Sequence, residues 1–142
     1  GESSTVESPK PATGSPQASD PCEILVNGND NFPPLYSGVS WSKPAIKEYE
    51  VPIKGTTPRK LMGCLISING IYDETSLKIT GFYNENLRER GWETIISAGG
   101  VYSITDTYKN NDKFFVVRRF AEQSSSGQSS APDMIVELFY AQ

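Results

Sequence analysis

The chain has 142 residues, 13 lysines and arginines against 17 aspartates and glutamates, and no histidine. That length fits one domain, and a net charge of −4 with a sequence pI of about 4.8 argues against the concentrated basic surface that nucleic-acid binding requires. Without histidine, Ser-His-Asp and Cys-His nucleophile systems and imidazole-based metal sites are excluded, and two cysteines cannot complete a structural zinc site.

Residues 1–21, GESSTVESPKPATGSPQASDP, contain only Val6, Ala12 and Ala18 as apolar residues. Such a segment buries too little surface to offset the entropy of ordering it, so the sequence predicts a disordered Ser/Thr/Pro-rich linker over 1–21 and one domain over 22–142. The domain's length of about 120 residues is enough for one core. The chain begins at Gly1 rather than Met, which is expected of a processed product or fragment with an anchor upstream. No run of about 18 apolar residues occurs, so no helix of this sequence is long and apolar enough to cross a membrane.

Residues 24–45 read as irregular. Ile24, Leu25 and Val26 form a short apolar patch, after which Asn27-Gly28-Asn29-Asp30 and Pro33-Pro34 oppose regular structure. Leu35, Tyr36, Val39 and Trp41 are expected to lie across the core. Residues 46–53 alternate as a strand, with Tyr49, Val51 and Ile53 on one side. Pro52 lacks an amide donor, so this strand is expected to sit at an edge or to end there. Residues 59–68 are a denser apolar run that the Asn69-Gly70 turn signal favours as a strand.

One helix is predicted from about Ser76 to Arg90. Ile79, Phe82, Tyr83 and Leu87 fall on one face of a 3.6-residue repeat, Thr75 or Ser76 can cap the start, and Gly91 stops it. The period then becomes two. Strands are predicted at 93–98, 101–109, 113–121 and 133–141, joined by Gly99-Gly100, by Asn110-Asn111-Asp112 and by a loop over 122–132. Arg118 and Arg119 point to opposite faces of their strand. The inner guanidinium must pair with a carboxylate or reach the rim, and Glu137 on the neighbouring strand is the candidate partner. The fold class is therefore α+β: one amphipathic helix on a mainly antiparallel sheet of five to six strands.

The run from Phe82 to Trp92 has the form F-Y-x-x-x-L-x-x-x-G-W, and Pro34-Leu35-Tyr36-Ser37-Gly38-Val39-Ser40-Trp41 lies upstream of it. Together they resemble small α+β domains of bacterial exported proteins and lipoproteins, in which a P-x-Y-P-G-x-x-W segment, a strand, a helix ending in G-W and a meander follow one another. Ser37 stands where such proteins often have Pro. The resemblance implies a domain outside the cytoplasm, at the cell surface or in the periplasm. It implies no activity and no functional residues.

Cys22 and Cys64 read in two ways. In an exported protein they pair, closing a loop of about 40 residues and contributing on the order of 4 kcal/mol; otherwise they are separate thiols, with Cys64 buried in a strand. Asn27 to Asn31 offers oxygen ligands suited to calcium but lacks the later bidentate Glu, and reads as a turn. No phosphate-binding or dinucleotide-binding glycine motif is present. The acids Asp73, Glu74, Glu85, Glu93, Asp106 and Glu137 read as surface charge. Neither catalytic nor metal-binding residues are assigned, and no cofactor is expected.

What remains is binding. Exposed aromatics stack on sugars or anchor protein contacts, and Tyr36, Trp41, Tyr102 and Tyr108 are the candidate ligand-binding residues. The sequence thus predicts a monomeric, non-catalytic binding or interaction module that meets a protein or another cell-envelope component. The alternative is a domain that binds a carbohydrate or another small ligand through these aromatics.

Overall fold

The computed structural model describes residues 20–122 and 132–142. The predicted linker, apart from Asp20 and Pro21, lies outside the described residues, as does most of the 122–132 loop. Two helices and six strands follow in the order α1 (Pro21–Asn27), β1 (Ala45–Val51), β2 (Arg59–Ile71), α2 (Asp73–Glu89), β3 (Glu93–Gly100), β4 (Ser103–Asn110), β5 (Lys113–Ala121) and β6 (Met134–Ala141). The strands form one antiparallel sheet in the order β1-β2-β6-β5-β4-β3. β3 to β6 form a meander, and β6 pairs with β2 in the middle of the sheet.

There are two helices where the sequence predicts one. Asp20 accepts a hydrogen bond from the Cys22 N–H, and Pro21 occupies the first turn, where its missing amide costs nothing. A seven-residue helix is too short to hold itself. Ile24 and Leu25 anchor α1 by burial in the core, and a disulfide joins Cys22 to Cys64 of β2 with the Cα atoms 5.0 Å apart. The domain boundary expected after residue 21 therefore falls inside the first capped turn.

Helix α2 begins three residues earlier than its sequence signals suggest. Tyr72 is the N-cap and offers no side-chain bond. Ser76, an expected cap, lies inside the helix and donates its hydroxyl to the Asp73 carbonyl at 2.6 Å. Asp73 and Glu74 favour the positive helix end. The far end matches its signals. Gly91 turns left-handed at φ 84°, its N–H donates to the Arg88 carbonyl, and the Trp92 N–H donates to the Leu87 carbonyl. Ile79, Tyr83 and Leu87 are fully buried, with Phe82 packed beside them.

Both helices bury their apolar residues against one face of the sheet, among Cys64, Ile66, Ile68, Phe115, Val117, Val136, Leu138 and Tyr140. The opposite face carries a second cluster of Val51, Phe114, Val116, Phe139 and Ala141. Tyr49, Leu61, Leu65 and Ile95 from the strands, and Ile53 from the loop after β1, pack against it. Adjacent residues on β4, Thr107 and Tyr108, are both completely buried, one on each face.

Gly63 explains part of this second cluster. A Cβ there would collide with the Tyr140 carbonyl oxygen and lie 2.7 Å from Phe139 Cζ. Its absence lets Tyr49 of β1 and Phe139 of β6 stack at 4.7 Å across the intervening strand. The Tyr49 hydroxyl then donates to Glu137 Oε1 at 3.1 Å.

The arginine pairing differs from expectation. Glu137 takes the outer guanidinium, Arg118, at 3.3 Å across the β5–β6 register. The inner Arg119, 6% exposed, reaches Asp73 at the start of α2 at 2.9 Å. Two turn signals also act differently. β2 continues through Asn69-Gly70 to Ile71 with a register shift, Gly70 adopting φ 68°, so the pair makes a bulge and not a hairpin. Gly99 and Gly100 lie within β3, and the β3–β4 turn is Val101-Tyr102. A side chain at Gly99 would run into the Ser103 carbonyl, which explains the need for glycine there.

Candidate functional site

Antiparallel pairing sorts the connections to two ends of the sheet. At one end lie Ile71-Tyr72, Val101-Tyr102, the finish of β5 and the start of β6. Tyr72 and Val101 are 78% and 83% exposed there. At the other end are the Asn111-Asp112 turn between β4 and β5 and the finish of β6. The segment after α1 folds onto this second end. Gly28 leaves α1 at φ 76°, where a Cβ would meet the Phe32 carbonyl oxygen at 2.7 Å. Asn29 and Phe32 form a β-bridge, and the Asn31 N–H donates to Asn29 Oδ1 at 2.8 Å. The expected calcium-like stretch is thus a compact turn, pinned by the Trp92 indole N–H donating to the Asn31 carbonyl at 2.7 Å.

A cavity of about 160 Å³ opens between this turn and the β4–β5 hairpin. Asn29 and Asn31 line it from one side, and Asn110, Asn111 and Lys113 from the other. Phe32, Trp92 and Tyr140 form its inner wall. The three rings pack mutually, Phe32 edge-on to Tyr140 at 5.0 Å and to Trp92 at 5.7 Å. Tyr140 is 1% exposed. Burial, reinforced by the negative charge of Asp112, pushes its pKa up to about 12, so it stays a neutral phenol at physiological pH.

The four aromatics expected to bind ligand are placed differently from one another. Tyr36 and Trp41 come together on the segment over α2. The Trp41 indole N–H donates to the Tyr36 carbonyl at 2.9 Å, and the Tyr36 N–H donates to the Tyr83 hydroxyl at 3.1 Å. The Tyr36 ring packs edge-on against Phe82 at 5.3 Å, so both aromatics serve the packing of this segment while staying half-exposed. Tyr102 is 41% exposed on the β3–β4 turn. Tyr108 is a correction: it is fully buried under α2, its hydroxyl donating to Asn84 Oδ1 at 3.3 Å, and has no ring face to offer. These residues therefore make no common platform.

The asparagines, Lys113 and Tyr140 carry a weak sequence signal. Asn27 to Asn31 and Asn110 to Asp112 are both readable as turns, but nothing local shows that the two turns meet. Compared with protein-family models, curated proteins and solved structures, the chain matches none.

Proposed function

We propose that this chain is a non-catalytic binding or interaction module that works outside the cytoplasm, at a bacterial cell surface or in the periplasm, against a protein or another cell-envelope component. The observation that carries the reading is the Cys22–Cys64 disulfide. Stable structural disulfides belong to oxidising compartments, and this one fastens a helix too short to persist alone. The resemblance of the Phe82–Trp92 and Pro34–Trp41 segments to exported bacterial domains supports the same compartment. The test is to quench thiols in intact cells that express the native gene, then fractionate them and measure the mass of the protein. The expected result is an envelope or secreted protein that takes up alkylating agent only after reduction. A cytosolic protein with both cysteines alkylated at once would overturn the proposal.

A second reading, binding of a carbohydrate or another small ligand, is supported by the asparagine-lined cavity with Tyr140 in its wall. Trp92 in its wall provides the reporter. A ligand seated there should change the tryptophan emission of the wild type, and the change should disappear in Trp92→Phe. An emission change that survives Trp92→Phe would place the ligand elsewhere.

A further inference from the structure

We infer that the cavity between the Asn29–Asn31 turn and the β4–β5 hairpin binds a neutral, hydroxyl-bearing terminal group, such as the end ring of a sugar chain. This rests on the small-ligand reading and names the ligand's chemistry.

Size comes first. About 160 Å³ accommodates roughly five waters at ~30 Å³ each, well under the ~300 Å³ at which ordinary small-molecule pockets begin. The cavity therefore takes one end of a ligand and leaves the rest outside. Polarity comes second. Asn29, Asn31, Asn110 and Asn111 each bring an amide with donors beside an acceptor. Asn29 Oδ1 is already used by the Asn31 N–H, which leaves its NH₂ as a donor. The Tyr140 hydroxyl donates and accepts. Mixed donors and acceptors of this kind complement hydroxyl groups, which have the same dual character.

Charge comes third and decides the class. Lys113 lines the cavity, and next to it in the chain is Asp112, whose negative charge adds to the rise that burial gives the Tyr140 pKa. An anion drawn by Lys113 meets the Asp112 field, and a cation meets the reverse arrangement. A neutral ligand meets neither penalty. Preorganisation comes last. The Asn29–Phe32 bridge, the Trp92–Asn31 bond and the close approach at Gly28 hold one wall before any ligand arrives.

The experiment is an amide NMR titration of the 142-residue chain, following the asparagine NH₂ groups and the Trp92 indole N–H. The neutral probes are methyl glucoside, methyl galactoside, methyl mannoside and N-acetylglucosamine at tens of millimolar. Sodium acetate and methylammonium chloride are the charged controls. Tyr140→Phe keeps the ring packed against Phe32 and Trp92 and removes only the hydroxyl. The expected result is saturable shifts of these signals with at least one neutral probe, and binding about fivefold weaker in Tyr140→Phe with the remaining spectrum unchanged. Shifts with acetate or methylammonium alone would overturn the ligand class while keeping the site. Silence from every probe would overturn both the class and the small-ligand reading. Equal affinity in Tyr140→Phe would overturn the role of this cavity.

Discussion

Removing the Cys22–Cys64 bridge in a Cys22→Ala/Cys64→Ala variant should cost about 4 kcal/mol. The bridge spans 42 residues, and the chain-entropy relation, −2.1 − 1.5R ln n, gives about −13 cal/mol/K for that loop, or about 4 kcal/mol at 25 °C. Unfolding entropy of about 2.1 cal/mol/K per residue over a domain of roughly 120 residues converts this to a fall in Tm of about 15 °C. The effect should act through two states. The unfolded chain gains freedom, and in the folded chain α1 loses its covalent tie and keeps only the burial of Ile24 and Leu25. The assay is urea unfolding of oxidised wild type, reduced wild type and the double variant. The two forms lacking the bridge should share one midpoint, and the reductant should not move the variant. A loss below about 1 kcal/mol would refute the account, because it would mean that the loop is already constrained in the unfolded chain or that the bridge strains the fold. Hydrogen exchange adds a second check: amides of α1 should lose protection before those of β5 and β6.

Gly63→Ala should destabilise by about 2 kcal/mol or more, because its Cβ would overlap the Tyr140 carbonyl and press on a ring that is already stacked. Urea midpoints measure it, and an unchanged midpoint would show that β2 can move away from β6. Thr107→Val should instead stabilise by about 1 kcal/mol, since the buried Thr107 hydroxyl has no hydrogen-bond partner and valine keeps its shape. A lower melting temperature in this variant would indicate that the hydroxyl is satisfied in solution. Alkaline pH should unfold the domain. Burial raises Tyr49 and Tyr140 from 10.0 to about 12, and it raises Tyr83 and Tyr108 further. The unfolded chain therefore loses its phenolic protons first. Stability is fully present below about pH 10 and falls as pH rises through the folded values, by up to about 1.4 kcal/mol per pH unit for each tyrosine. Urea midpoints that stay flat from roughly pH 8 to pH 11 would contradict this.

Hydrophobic period was informative wherever an element was long enough to show one. Ile79, Tyr83 and Leu87 marked the buried face of α2, and alternation located β4, β5 and β6 to within two residues or so. The misses have separate physical causes. PCEILVN spans too few turns for periodicity to emerge; only the Asp20-Pro21 pair announced α1, and it stood at the end of a stretch that looked like linker. The Asn69-Gly70 and Gly99-Gly100 pairs signal unusual backbone, and both supply it, but within or at the end of strands. Tyr108 was misplaced because alternation identifies two faces without saying whether one is wet, and this sheet is covered on both. The cavity residues were unreadable for a topological reason. Asn29 and Asn110 meet only because β6 returns to the centre of the sheet between β2 and β5, and sequence order does not specify that return.

Burial on both faces limits where this domain can act. A sheet with one solvated face offers a broad binding surface. Here Val116 and Phe139 on one side and Phe115 and Leu138 on the other are all lost to packing, and α2 presents outward a charged face bearing Glu85 and Glu89. On the proposed function, recognition falls to the strand edges and the two ends. Edge β1 is guarded by Lys47, Glu48 and Glu50, which discourage pairing with another strand. Of the two ends, the one with Tyr72, Val101 and Tyr102 projects apolar side chains into solvent, which suits loose contact with a larger partner. The asparagine end is concave, held by packed rings and lined by four asparagine amides. A fold that has buried both faces of its sheet keeps specificity most economically in such a corner, where a few preformed hydrogen-bonding groups discriminate without requiring a large interface.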